Sequence, residues 1–257
     1  MSFVELKYLT SYEAAVAARQ KGAIGLIPVG ALEQHGPHLP LVTDSAMVEV
    51  LAAAAAERFR EPVIVTPTLM AGLSDHHVEF PGTVSLDRKT LKGEIGAYIT
   101  SLNRMGLTRI CLLSFHGGNF SFLGDCADDN LLALQGVQIE AYTDFRQFLN
   151  VMHTAGQKAG LQLASTDSHA GALETSLVLH VLGEERVREF ETVQGYTRNE
   201  HGWMETMQAK GVKAVSATGV FGTPCGASAS AGKMILDALV DEVALWLGET
   251  FLLEEIR

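Results

Sequence analysis

The sequence predicts an α/β fold in which a mainly parallel sheet is covered by helices on both faces. Short runs that are apolar throughout alternate with longer stretches of helical pattern. Uninterrupted apolar strands suit a sheet buried on both sides. Polar clusters follow three of the runs, where open parallel sheets gather their chemistry beyond the carboxyl ends of the strands.

The strand candidates are AIGLIPV (residues 23–29), PVIVTP (62–67), RICLLSF (109–115) and VQIEAY (137–142). Between the first two lies SAMVEVLAAAAAERF (45–59), alanine-rich and without breakers, which predicts a helix. The stretch DRKTLKGEIGAYITSLNRMG opens on Asp87, an N-cap type, and closes on Gly106, a C-cap type. Two further helices are expected over residues 119–134 and 144–159, with Asn119 capping the first. The tail AGKMILDALVDEVALWLGETFLLEEI repeats apolar residues at helical spacing and is expected to pack along the body. No Pro/Ser/Gly-rich linker and no fixed-period repeat interrupts the chain, which predicts one domain over residues 1–257.

Composition narrows the partners. With 47% hydrophobic and 19% charged residues in a 257-residue chain, a sizeable core can form. A net charge of −11 with scattered basic residues argues against nucleic acid or an anionic membrane surface, because phosphates would be repelled. Cys111, Cys126 and Cys225 make no CxxC pair, and Cys111 sits in an apolar run as a small buried hydrophobe. The N-terminal residues lack a signal-peptide pattern, and no apolar run nears the ~18 residues of a membrane span. A soluble cytoplasmic protein is the expectation.

The segment ALEQHGPHLPLVTD follows the first strand, and its prolines and glycine predict a stiff loop. Glu33 and His35, two positions apart in extended chain, project to one side. With Asp44 they offer two oxygen ligands and an imidazole. A carboxylate can bridge two cations, and the mixture suits zinc, manganese or iron. His38, between two prolines, is nearby without a defined direction. SFHGGN places His116 at a strand end, and TDSHAGALETS supplies His169 and Glu174. These two would share a cavity if a helix began near Ala170, with Asp167 or Ser168 as its cap. In GLSDHHVEFPGTVSL, Ser74 and Thr83 offer hydroxyls. Ser74, His77, Thr83 and Gly117 are the candidates for substrate contact. Trp203 is expected at a buried or interface position, with a distant lid over the site as the alternative.

Taken in chain order, GALEQHGPHLPLVTD, GLSDHHVEFPGT, SFHGGN and SHAGALETS resemble the successive signatures of the creatininase (creatinine amidohydrolase) family. GVFGTPCGASASAGK is similar to that family's closing glycine-rich segment. The resemblance implies a three-layer α/β/α fold, a two-metal site and assembly as a homohexamer. It also implies that Glu33, Asp44 and His116 hold one divalent ion, His35 and Asp44 hold the other, and His169 transfers a proton. Creatininase itself has tyrosine and a metal-binding glutamate after the histidine equivalent to His116. Here Gly117 and Gly118 stand there, a glycine version that many relatives share, so Glu174 is expected to supply the missing ligand. The tryptophan that precedes the catalytic histidine segment in creatininase is absent from STDSHAG.

The expected activity is hydrolysis of a C–N bond in a small-molecule amide, cyclic amide or formamide. Hydroxide generated at the two ions attacks, and His169 protonates the leaving nitrogen. The alternatives are a serine nucleophile at Ser114 or Ser168, and a non-catalytic, metal-stabilised binding or assembly protein.

Overall fold

The structure is a computed structural model and describes residues 3–129 and 136–256. Its strands are β1 (Phe3–Glu5), β2 (Ile24–Val29), β3 (Val63–Val65), β4 (Arg109–Ser114) and β5 (Gln138–Ala141). The helices are α1 (Ser11–Ala18), α2 (Thr43–Ala56), α3 (Arg88–Met105), α4 (Phe120–Asp128), α5 (Phe145–Lys158), α6 (Ala172–Val181), α7 (Trp203–Lys210) and α8 (Ala229–Phe251). The five strands form one parallel sheet in the order β1-β3-β2-β4-β5.

Alternation along the strands divides the core in two. Ile24 and Leu26 of β2, with Cys111 and Leu113 of β4, pack against α2, α5, α6 and α8. Ile27 of β2, with Ile110 and Leu112 of β4, faces α1, α3 and α4. Successive strand side chains point to opposite faces, so a strand apolar at every position needs a helical layer on each side. The result is a three-layer α/β/α sandwich.

Local chemistry sets the helix ends where the sequence placed them. The Asp87 carboxylate accepts from Thr90 N at 2.7 Å, and Gly106 closes α3 in a left-handed conformation at φ 114°. Asp144 caps α5 by accepting from Gln147 N at 2.9 Å. Two expectations change. The helix expected over 119–134 is described as Phe120–Asp128, and its continuation through 130–134 lies outside the described residues. Asn119 does not cap it. Its side chain instead accepts from Leu73 N at 3.0 Å and donates to Gly30 O at 2.9 Å, tying three loops together.

The sheet order reverses between β2 and β4. From β2 the chain turns to β3 on one side, and from β4 it turns to β5 on the other. The crevice beyond the carboxyl ends of two such strands is where open α/β sheets bind ligands. The residues after β2 and β4 are those of ALEQHGPHLPLVTD and SFHGGN. Cys111 is fully buried, and Cys111, Cys126 and Cys225 are all free thiols. Among the described residues, no helix is long and apolar enough to cross a membrane.

Candidate metal centre

Glu33, His35, Asp44, His116 and Glu174 converge in the crevice, each at most 6% exposed. Glu33 and His35 come from the loop after β2, and Asp44 from the first turn of α2. His116 follows β4, and Glu174 lies in the first turn of α6. That helix begins at Ala172, two residues later than expected, leaving His169 in the entry loop. Asp167 accepts from Ala172 N at 3.0 Å and so holds the helix end from five residues back. The Glu174 carboxylate turns back to accept from Ala170 N at 2.6 Å.

The two imidazoles among these five residues present one nitrogen each. His35 Nδ1–H donates to the Glu33 carbonyl at 3.1 Å, leaving Nε2 at 3.4 Å from Asp44 Oδ1 and 3.6 Å from Glu174 Oε2. His116 Nε2–H donates to the Leu73 carbonyl at 3.0 Å, leaving Nδ1 at 3.3 Å from both Glu33 Oε1 and Asp44 Oδ2. A back-side hydrogen bond of this kind fixes the tautomer and frees the opposite lone pair for a metal. Ligands around a tetrahedral ion with bonds near 2.0–2.1 Å stand about 3.3–3.4 Å from one another. Both Glu33 carboxylate oxygens, His35 Nε2 and Asp44 Oδ2 are buried without a hydrogen-bond partner. Buried charged atoms without partners are costly, and divalent ions in the space between them would satisfy all four. The residues present therefore fit a pair of divalent ions.

The electrostatics agree. Burial alone would raise the Glu33 carboxyl, but the adjacent His116 and His77 hold it well below its ordinary range. Burial would lower His35, yet Asp44 and Glu174 push it up to about 10. The Glu174 carboxyl is pushed up to about 8, first by burial and then, against the pull of His35, by repulsion from Asp44. Carboxylates held this close need cations between them.

Other histidines crowd the same space. Glu33 forms donor triads with His77 and His169, with His76 and His116, and with His35 and Asp44, while His35, His169 and Glu174 make a fourth. His77 Nδ1 accepts from Gln34 Nε2 at 2.8 Å, so its proton sits on Nε2, 3.3 Å from Glu33 Oε1. His77 thus turns an N–H towards Glu33 without forming a hydrogen bond, where His35 and His116 offer lone pairs. His169 Nδ1 stands 3.7 Å from Glu33 Oε1 and 4.0 Å from Glu174 Oε2, and its Nε2 is 2.9 Å from the Gln34 backbone oxygen. Burial and the positive His35 lower it to about 3. His38 points elsewhere, its Nε2 2.9 Å from Thr175 Oγ1.

A cavity of about 1120 Å³ opens from these donors. His77, Gly117 and His169 line it, and Ser74 and Thr83 do not. The Thr83 hydroxyl accepts from Gln34 N at 3.1 Å, bracing the donor loop. The Ser114 and Ser168 hydroxyls donate to the carbonyls of Val29 and Thr166, which places neither as a nucleophile. Trp203, expected at a buried or interface position, lines the cavity.

Gln34 is the residue that local pattern missed. Parity in an extended segment aims it away from its neighbours Glu33 and His35. Its amide is nevertheless turned into the site. Gln34 Oε1 accepts from Gly36 N at 2.9 Å, and Nε2 stands 2.8 Å from His77 Nδ1 and 2.9 Å from His169 Nε2. Gly219 makes room for it, since a Cβ there would lie 1.9 Å from Gln34 Oε1.

The family model Creatininase (creatinine amidohydrolase) matches residues 7–247. The chain belongs to the creatininase family. Among relatives of this creatininase-family chain, a mycofactocin precursor peptide peptidase of Mycolicibacterium smegmatis is 32% identical over 226 residues, covering 85% of this chain and 82% of the relative. A solved structure described as Creatininase Mn superposes with a TM-score of 0.76 at 25% identity, over 96% of this chain and 98% of that one. A mutant creatininase of Zn-Zn type gives 0.75 at 26% identity, over 98% and 99%. Family membership and the clustered donors make this a metal-dependent amidohydrolase with a binuclear divalent-metal site.

Proposed function

We propose that this chain is a glycine-variant member of the family that hydrolyses a C–N bond of an amide with two divalent ions, zinc or manganese by likeness to its structural relatives. The observation that carries the reading is the set of buried, partnerless donor atoms on Glu33, His35 and Asp44, with His116 and Glu174 beside them. Glu33, Asp44 and His116 hold one ion. His35, Asp44 and Glu174 would hold the other, with Asp44 serving both. Steric space supports Glu174 as the fifth ligand: a Cβ at Gly118 would lie 2.5 Å from His116 Nε2 and 2.5 Å from Leu73 O. No side chain fits at 118 while the His116 ring keeps its place.

When bound, the ions would polarise the amide carbonyl and acidify a water. Hydrolysis adds water across the C–N bond and yields a carboxylate and an amine, so the leaving nitrogen needs a proton. His169 is placed to move it. Its side chain is 13% exposed, against 0% for His35 and 4% for His116 and His77. Donation from its Nε2–H to the Gln34 oxygen leaves Nδ1 facing the donors as the atom that takes and gives the proton. The Gln34 backbone oxygen holds that ring, and the Gln34 side-chain amide holds His77 beside the Glu33 carboxylate.

The cavity volume and the peptidase relative support a substrate larger than a simple cyclic amide, such as a peptide-derived molecule. We extend the reading to one catalytic domain over residues 1–257, working in the cytoplasm as a homo-oligomer that is hexameric by family likeness. The test is direct. Protein stripped with a chelator and reloaded with zinc or manganese is assayed against cyclic amides, formamides and short peptides for release of amine and carboxylate. Turnover that returns with loading is expected. Absence of release from the whole panel by the loaded protein would overturn the proposal.

A further inference from the structure

The metal donors make up only part of the cavity lining. Its 1120 Å³ exceeds the ~300–1,000 Å³ that suit most drug-sized ligands, so space remains beyond any amide seated at the donors. Two helices wall that remaining space, and both turn apolar side chains into it. From α5 come Phe145, Phe148 and Met152, and from α7 come Trp203 and Met207.

The α7 wall is built on aromatic contacts. Trp203 lies 5.6 Å from Tyr196 and 5.2 Å from Phe221 between ring centroids, and its indole N–H donates to Asn199 Oδ1 at 3.1 Å. The indole nitrogen is thereby satisfied and the ring held in one orientation. α7 itself has no buried residue, and both its flanking glycines, Gly202 and Gly211, have φ above +80°. Its apolar side chains are thus not spent on the main core. On α5, Phe148 belongs to the core, while Phe145, against Phe120 at 5.0 Å, is partly exposed.

We propose that the space between α5 and α7 is a specificity subsite for a bulky apolar side chain, aromatic by preference, carried by the amide whose C–N bond lies at the donors. This rests on the amidohydrolase reading above and adds the chemical class of the substrate. Water against such walls is displaced favourably, and each methylene buried favours binding by roughly four-fold. Met is a sulfur-bearing, adaptable partner for aromatic rings, and Trp203 supplies a flat face.

The protein reports on the subsite directly, because only two tryptophans are present. Trp246 sits on α8, edge-on to Tyr142 at 5.4 Å, and does not line the cavity. In zinc-loaded protein carrying Trp246→Phe, emission comes from Trp203. Titration with N-acetyl amides of glycine, leucine and phenylalanine is expected to change that emission for the latter two, with Kd falling at least ten-fold from glycine to phenylalanine. Met207→Asp, on a helix with no buried side chain, should shrink that ratio at least five-fold while helix content by circular dichroism is kept. Equal Kd values across the series, or silent Trp203 emission, would overturn the subsite. Turnover without side-chain preference would remove the subsite and keep the hydrolase. Graded binding without turnover would do the reverse.

Discussion

In one part of the cavity lining, Glu33, Asp44 and Glu174 bury carboxylates among imidazoles, on the loop after β2 and the first turns of α2 and α6. In another part, α7 stands on an aromatic cluster with no buried residue of its own. The donor part is over-determined: Asn119, Gln34 and Thr83 each spend side-chain hydrogen bonds on fixing a neighbouring loop or ring. Chemistry at metal ions tolerates little displacement, so precision there is held by many weak ties. Recognition of an apolar group needs surface more than exact angle, and one helix at the rim supplies it. The contrast teaches that the reacting and selecting parts of this site can change independently.

The largest expected effect falls on Asp44, the ligand proposed as shared. Asp44→Ala should lose both ions and with them all measurable turnover, whereas Glu174→Gln should lower the metal content from two ions per chain towards one. Elemental analysis distinguishes these, and full occupancy in both variants would break the ligand assignment. Next comes His169→Ala, expected to retain both ions and lose ~10²–10⁴ in rate, the usual worth of general acid–base assistance. An unchanged rate would leave the proton without a carrier. Smaller and subtler is the proton count. In the metal-free protein His35 is raised to about 10 and His116 lies well above its ordinary value, so both carry protons at pH 7. Metal must displace them, and affinity should therefore strengthen as pH rises, with proton release shrinking towards pH 10. Calorimetry in buffers of different ionisation enthalpy reads the release directly, and none at pH 7 would contradict the donor set. The apolar lining should answer to none of these changes.

Much of this was legible beforehand. The apolar runs that became β2, β4 and β5 were long enough to stand out, as were the capping residue Asp87 and the tail helix α8. β1 was not, because its three residues carry no periodic signal and form a strand only by pairing with β3. The donor motifs showed their chemistry because they sit on contiguous loops. Gln34 and Asn119 were missed or misread because their partners are remote: Gly219 lies 185 positions from Gln34, and Gly30 lies 89 from Asn119. The apolar lining was invisible for the same reason, since α5 and α7 are far apart in sequence and neither helix carries a motif for it.

The crowding around position 118 closes a route of change. Any residue with a Cβ there would press on the His116 ring and on the Leu73 carbonyl that steadies it. An acid introduced at 118 alone would thus damage one centre while trying to serve the other. A ligand on that loop would require His116 and the Leu73 carbonyl to give way together.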